Sequence, residues 1–157
     1  MSKKIQTLCF VKKNDQLLLG MKKRGFGMGI WNGFGGKVEE GESIEVAARR
    51  EMQEESGLEV GDLEKFGIVE FEFENNPEIL EVHFFKTDDF SGELRESEEM
   101  RPQWFAINEI PKEKWPDDEF WMPLFLEGKK FRGRFMFNQE KSAKIIKYDL
   151  EVMEVLG

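Results

Sequence analysis

Two strand-like runs open the chain, Ile5–Val11 and Gln16–Met21, and the polar Lys12-Lys13-Asn14-Asp15 between them predicts a hairpin. Leu63–Phe73 and Leu80–Thr87 form a second such pair, broken by Asn75-Asn76-Pro77. Within the first of these, Phe71 and Phe73 alternate with Glu70, Glu72 and Glu74, as in a strand with one buried face. A further strand is expected around Gln103–Ala106 and a short helix over Asp118–Glu127. Phe131–Phe137 and Ile145–Val152 read as closing strands, although the last segment also fits a helix. The apolar period changes over Ile44–Ser56, which reads as a helix capped by Ser43, with Glu45 in its first turn and Gly57 at its end. The order is α+β, with mostly antiparallel strands around one central helix. Without repeats, low-complexity tracts or linker-like stretches, residues 1–157 read as one domain.

The chemistry concentrates around that central helix. Before it, glycines crowd the stretch from Gly25 to Gly36, which marks a loop needing unusual backbone angles or close approach to something. On the helix, at about 100° per residue, Glu54 and Glu55 fall within roughly 60° of Glu51. The same stripe carries Ile44, Ala47 and Ala48 one or two turns earlier, so the carboxylates continue a face that began apolar. A solvated acidic face should lie opposite the apolar stripe, and this one shares its direction. Clustered carboxylates repel one another unless protonated or neutralised by a cation, and hard oxygen ligands suit Mg²⁺ or Mn²⁺ together with phosphates.

The spacing also matches the signature G-x5-E-x7-R-E-U-x-E-E-x-G-U, where U is aliphatic. Gly36, Glu42, Arg50, Glu51, Met52, Glu54, Glu55, Gly57 and Leu58 take its fixed places, Met52 standing for an aliphatic. In this the chain resembles the Nudix hydrolases, which cleave nucleoside diphosphates linked to another moiety. The resemblance implies the Nudix fold, a mixed, mostly antiparallel sheet packed between helices as an α/β/α sandwich. It also implies Mg²⁺ (or Mn²⁺) held by Glu51, Glu54, Glu55 and the Gly36 carbonyl. Arg50 and Glu42 would tie loop to helix. Hydrolysis to a nucleoside monophosphate and pyrophosphate would follow, with Glu55 or Glu51 taking a proton from the attacking water.

The flanks bear on the substrate. Met21–Glu42, Glu99–Phe105 and Trp115–Leu124 are similar to the branch of that family that destroys oxidised purine nucleoside triphosphates, of the 8-oxo-dGTP and 2-hydroxy-dATP type. This likeness implies a base pocket of Asn32, Trp115, Asp117 and Asp118, with Thr7, Phe26, Phe71 and Leu80 around it, and adds Glu99 as a metal ligand. The residues themselves are suited to the task. Trp115 can stack on a purine, and Asn32 offers a donor and acceptors. Two adjacent carboxyls in an apolar pocket should not both stay ionised, so one donates where its neighbour accepts. Other readings stay open. Trp-Pro-Asp-Asp also fits a helix start with Asp as cap; Lys22 and Lys23 fit phosphate, base or solvent; Glu99 fits a charged loop. Another modified purine triphosphate, such as an alkylated one, or a non-catalytic nucleotide-binding module would use many of the same residues.

Composition narrows the partners. A net charge of -9 disfavours polynucleotides, because binding them takes Lys and Arg to displace counterions. A small nucleotide remains compatible, since a divalent ion reverses the local field. The single cysteine, Cys9, lies in an apolar run and is expected to be a buried thiol in a reducing compartment. No run approaches the ~20 apolar residues of a membrane span. Met1–Lys4 leads straight into a strand, leaving no room for a signal peptide. A cytoplasmic monomer is the expectation. His83, the single histidine, alternates with apolar neighbours and is expected to be packed or hydrogen-bonded.

Overall fold

The computed structural model describes residues 2–138 and 144–156. Its main sheet contains β1 (Ser2–Lys13), β2 (Gln16–Lys22), β3 (Trp31–Asn32), β5 (Glu64–Phe73), β6 (Glu78–Thr87), β8 (Met100–Ala106), β9 (Lys130–Phe137) and β10 (Ile145–Met153). The strands run in the order β10-β9-β5-β6-β1-β2-β3, with β8 also paired to β2. The pairs β1–β6 and β5–β9 are parallel and the rest antiparallel, so the sheet is mixed, as expected. A separate ribbon joins β4 (Glu59–Val60) to β7 (Phe90–Ser91).

Alternation along the strands sends side chains to two cores. Phe10, Leu17, Leu19 and Phe84 join Trp121, Met122 and Phe125 of α2 (Asp118–Leu126) on one face. Their neighbours Cys9, Val11, Leu18 and Phe85 join Ala48 and Met52 of α1 (Ile44–Ser56) on the other. The two helices thus sandwich the sheet, and the small residues Ala47 and Ala48 let α1 lie close against it. At the N-terminus of α1 the Ser43 hydroxyl accepts the Val46 N–H at 3.2 Å. At its other end Gly57 turns left-handed at φ 85° and donates its N–H to the Gln53 carbonyl. Both caps are those read from the sequence.

Elsewhere the differences have local causes. The last segment takes the strand of its two readings: β10 pairs with β9 from Ile145↔Phe137 to Met153↔Lys130. Strand β8 begins at Met100, ahead of Pro102, which interrupts the run of strand-forming residues. The ribbon β4–β7 and a 3₁₀ turn at Ile107–Glu109 escape a periodicity reading because they are too short to show a period. Cys9 is fully buried, and burial pushes its thiol up to about 12, so it packs and does not react. His83 is buried, with Nε2 2.8 Å from Glu81 Oε2, and stands outside the chemistry described next.

One feature of the sheet positions the site. Strand β2 pairs with β8 along its whole length, from Gln16↔Ala106 to Lys22↔Met100, but with β1 only from Val11↔Leu18 to Lys13↔Gln16, after which it pairs with β3 at Gly20 and Met21. The glycine-rich segment after β3 fills the opening and is stitched to β1. Cys9 and Phe34 exchange backbone bonds, the Thr7 N–H reaches the Gly36 carbonyl at 2.9 Å, and the Val38 N–H reaches the Ile5 carbonyl at 3.1 Å.

Candidate active site

Gly35 lies so close to β1 that a Cβ there would stand 1.8 Å from the Thr7 carbonyl oxygen. That approach holds the segment in the opening and aims the Gly35 N–H at α1, where Glu55 Oε1 accepts it at 2.9 Å. Gly35→Ala is therefore expected to destabilise the fold by about 3 kcal/mol, read as a lower urea midpoint, and to displace Glu55. Gly36 is similarly confined: a Cβ there would lie 2.8 Å from the Glu51 carboxyl carbon.

The glutamates of α1 occupy distinct surroundings. Burial raises Glu55 to about 8, and the charges of Glu51 and Glu99 push the same way, against the Gly35 N–H and Lys22. Glu51 is also raised by burial, opposed by Arg50. Arg50 Nη1 reaches Glu51 Oε1 at 2.9 Å and Glu54 Oε2 at 3.4 Å. Arg50 also binds Glu42 at 2.7 and 3.0 Å and the Lys37 carbonyl at 3.1 Å, so it ties loop to helix as expected. Glu54 is largely exposed, and Glu99 is exposed and held by Arg24 at 3.1 Å. Among the described residues no three acidic, histidine or cysteine side chains converge in a ready-made ligand cluster. The donor set nonetheless fits a hard divalent cation. Glu55 is a mostly buried carboxylate, unpaired in the salt-bridge network and repelled by two others, and the confined Gly36 places its backbone beside the Glu51 carboxylate.

A cavity of about 220 Å³ leads from this point into the face covered by α2. Gly35, Gly36, Lys22 and Glu55 of α1 line it together with Asp117 and Asp118 at the start of α2. Each residue expected to contact the base or phosphates lies on its wall: Thr7, Lys22, Phe26, Asn32, Phe71, Leu80, Trp115, Asp117 and Asp118. Glu51, Glu54 and Glu99 do not line it. Lys23 is not on the wall either; it is ion-paired to Glu96 and donates to the Ser97 carbonyl at 2.9 Å. The wall also includes Phe73 and Phe137, which the sequence reading did not assign to the site. Phe73 carries a readable signal, since it shares its strand face with Phe71.

The cavity mouth is aromatic. Phe26 sits 5.2 Å from Trp115 and edge-on to Phe73 at 6.1 Å, ring centre to ring centre. Phe26 projects from a loop whose Gly25, Gly27 and Gly29 all take φ near 80°, a conformation costly for residues with a Cβ. Asn32 is oriented by its own chain, because the Gly33 N–H donates to Asn32 Oδ1 at 2.8 Å. Its amide NH₂ is thereby left to donate into the cavity.

Within the cavity lining, Asp117 and Asp118 are both buried, at 4% exposure each, and burial raises both above the usual carboxylate range. Asp118 is raised further by the charge of Asp117, against Lys114. Asp117 stands at the N-cap of α2, just before its first residue, but makes no capping bond with its side chain. Its Oδ2 instead accepts the Trp121 indole N–H at 2.7 Å. The helix does start here, as a Trp-Pro-Asp-Asp run allows, yet the Asp117 carboxyl turns away from the cap.

The NUDIX domain family matches residues 3–125. The oxidized purine nucleoside triphosphate hydrolase of Mus musculus is 51% identical over 152 residues, 96% of each chain. Its counterpart from Danio rerio is 51% identical over 98% of this chain and 97% of its own. Among solved structures, a MutT protein from Bacillus halodurans superposes with a TM-score of 0.84 at 28% identity, covering 94% of this chain and 97% of that one. With a family match that spans most of its length and the signature residues Glu51, Glu54 and Glu55 on α1, the last of them lining a cavity, this chain belongs to the Nudix hydrolase family.

Proposed function

We propose that this protein hydrolyses oxidised purine nucleoside triphosphates to the monophosphate and pyrophosphate. The observation that carries the reading is one cavity lined both by Glu55, Gly35 and Gly36 and by the buried Asp117–Asp118 pair. A purine entering base-first would stack on Trp115 under Phe26 and leave its phosphates beside Lys22 and α1.

The acidic pair explains how one pocket accepts two oxidised bases. From C6 to C2, the pairing edge of 8-oxoguanine presents acceptor, donor, donor. The keto form of 2-hydroxyadenine presents donor, donor, acceptor, the same pattern reversed. A carboxyl pair sharing one proton supplies one donor among its acceptors, and moving that proton reverses the order. Asn32 adds a donor from its fixed amide.

Among the glutamates of α1 we assign Glu55 as general base in preference to Glu51. Glu55 lines the cavity and is steadied by the Gly35 N–H, whereas Glu51 is engaged by Arg50. Glu51, Glu54, Glu55, Glu99 and the Gly36 carbonyl would hold Mg²⁺, with Mn²⁺ as a substitute. When bound, it neutralises charge on the triphosphate and acidifies a coordinated water. Glu51 and Glu54 would then exchange Arg50 for the cation, leaving Arg50 on Glu42 and the Lys37 carbonyl. A buried, unreactive Cys9 suits a reducing cytosol, where we place the protein as a one-domain monomer.

A steady-state panel with Mg²⁺ tests the substrate. 8-oxo-dGTP and 2-hydroxy-dATP are expected to exceed dGTP and dATP in kcat/KM by roughly tenfold or more, the worth of one or two matched hydrogen bonds. Equal efficiency on dGTP removes the oxidised-purine reading, and a clear preference for an alkylated purine replaces it.

A further inference from the structure

We propose that Trp121 is the positioning residue of the acidic pair: its indole N–H holds Asp117 as the hydrogen-bond acceptor and leaves Asp118 as the donor at rest. The inference rests on the oxidised-purine reading of the cavity and names what sets its specificity.

The geometry is asymmetric although the pair looks symmetric in sequence. Trp121 is fully buried, one helical turn after Asp117, and its Nε1 lies 2.7 Å from Asp117 Oδ2. An indole N–H only donates. The oxygen it meets must accept, and a carboxylate accepts such a bond more strongly than a neutral acid. Trp121 is locked in place by Phe10, Phe84 and Phe131, at ring separations of 5.4, 4.9 and 6.0 Å, so its N–H stays on Asp117 and acts on Asp118 only weakly. The charged groups facing the pair are few. Lys114 precedes it in the chain, and Lys22 and Glu55 line the same cavity. Trp121 is the strongest influence opposing burial at Asp117 and the weakest of those acting on Asp118, so the bond favours the charged form of Asp117.

The consequence is a bias. Of the two reversed base edges, one matches the resting arrangement. The other requires a proton on Asp117, whose oxygen already accepts from Trp121, and binds at a cost. Removing the indole N–H should therefore change the ratio between the two substrates, and move the pH at which recognition changes.

The experiment has two arms, both on the full chain. In unaltered protein, the assigned Trp121 indole ¹H–¹⁵N resonance is followed from pH 4 to 9 by NMR. It is expected to exchange slowly with solvent and to shift through a titration of the pair. A resonance that stays fixed or exchanges freely overturns the proposal. In Trp121→Phe, the ratio of kcat/KM for 8-oxo-dGTP to that for 2-hydroxy-dATP is expected to change by about tenfold. The change should lie in KM, and the pH limb of KM should move upward because Asp117 has lost its donor. A folded variant with an unchanged ratio and pH limb shows that Trp121 only fills space, and overturns the proposal. Should the variant fail to fold, the NMR arm decides. That arm needs no turnover, so a wrong substrate assignment would show in the nucleotide panel and leave the indole titration to judge Trp121.

Discussion

Glu55→Gln is expected to lower kcat for pyrophosphate release by roughly 10²–10⁴-fold, the range a positioned general base supplies. Glutamine keeps the shape and an oxygen to accept the Gly35 N–H, so the loop should stay docked. It loses the ability to take a proton. The substituted protein should also be no less stable without metal, because a mostly buried carboxylate repelled by Glu51 and Glu99 has been neutralised. Glu54→Gln provides the contrast. That side chain is 55% exposed and touches Arg50 from outside the cavity, so a loss nearer tenfold, reduced at high Mg²⁺, is expected for a metal ligand alone. Metal titrations separate the roles. If raising Mg²⁺ restores Glu55→Gln to within tenfold of the parent, Glu55 is a ligand only and the base lies elsewhere, with Glu51 next in line.

That contrast also marks where the sequence stops being informative. The spacing of Glu51, Glu54 and Glu55 puts them on one side of α1, and Ser43 and Gly57 bound the helix correctly because caps act within a turn. How the three diverge depends on what each side chain meets. Glu55 meets Gly35, Glu51 lies over Gly36, and Glu54 points outward, and these contacts come from a segment stitched to β1. Strand identities were readable from alternation, but the parallel pairing of β5 with β9 and of β1 with β6 joins residues far apart in the chain and leaves no local mark. Asp117 makes the same point at one residue. A cap and a base-reading acid share the same letters, and only the Trp121 indole, packed among Phe10, Phe84 and Phe131, decides the direction of the carboxyl.

Asp118→Asn should divide the two substrates. An amide at this position still donates, as the protonated acid does, but it cannot give up that proton to reverse the pattern. The nucleotide whose edge fits the resting arrangement is expected to keep most of its kcat/KM. The other is expected to lose roughly 10²-fold or more, since a site built for hydrogen bonds rejects a mismatched partner strongly. The same change should stabilise the protein, increasingly so as pH rises. Both acids have raised proton affinity in the folded state, Asp117 to about 6 and Asp118 further. Between the ordinary carboxylate range and those values the native protein holds more protons than the unfolded chain, so stability present at low pH is lost as pH climbs through 6 and beyond. Asparagine removes the larger part of that loss. Urea midpoints at pH 5 and pH 8 should therefore differ less in Asp118→Asn than in the parent, with the variant ahead at pH 8. If both oxidised nucleotides fall equally and the midpoints keep the parent's pH dependence, the pair does not share a proton and base selection must rest on Asn32 and Trp115.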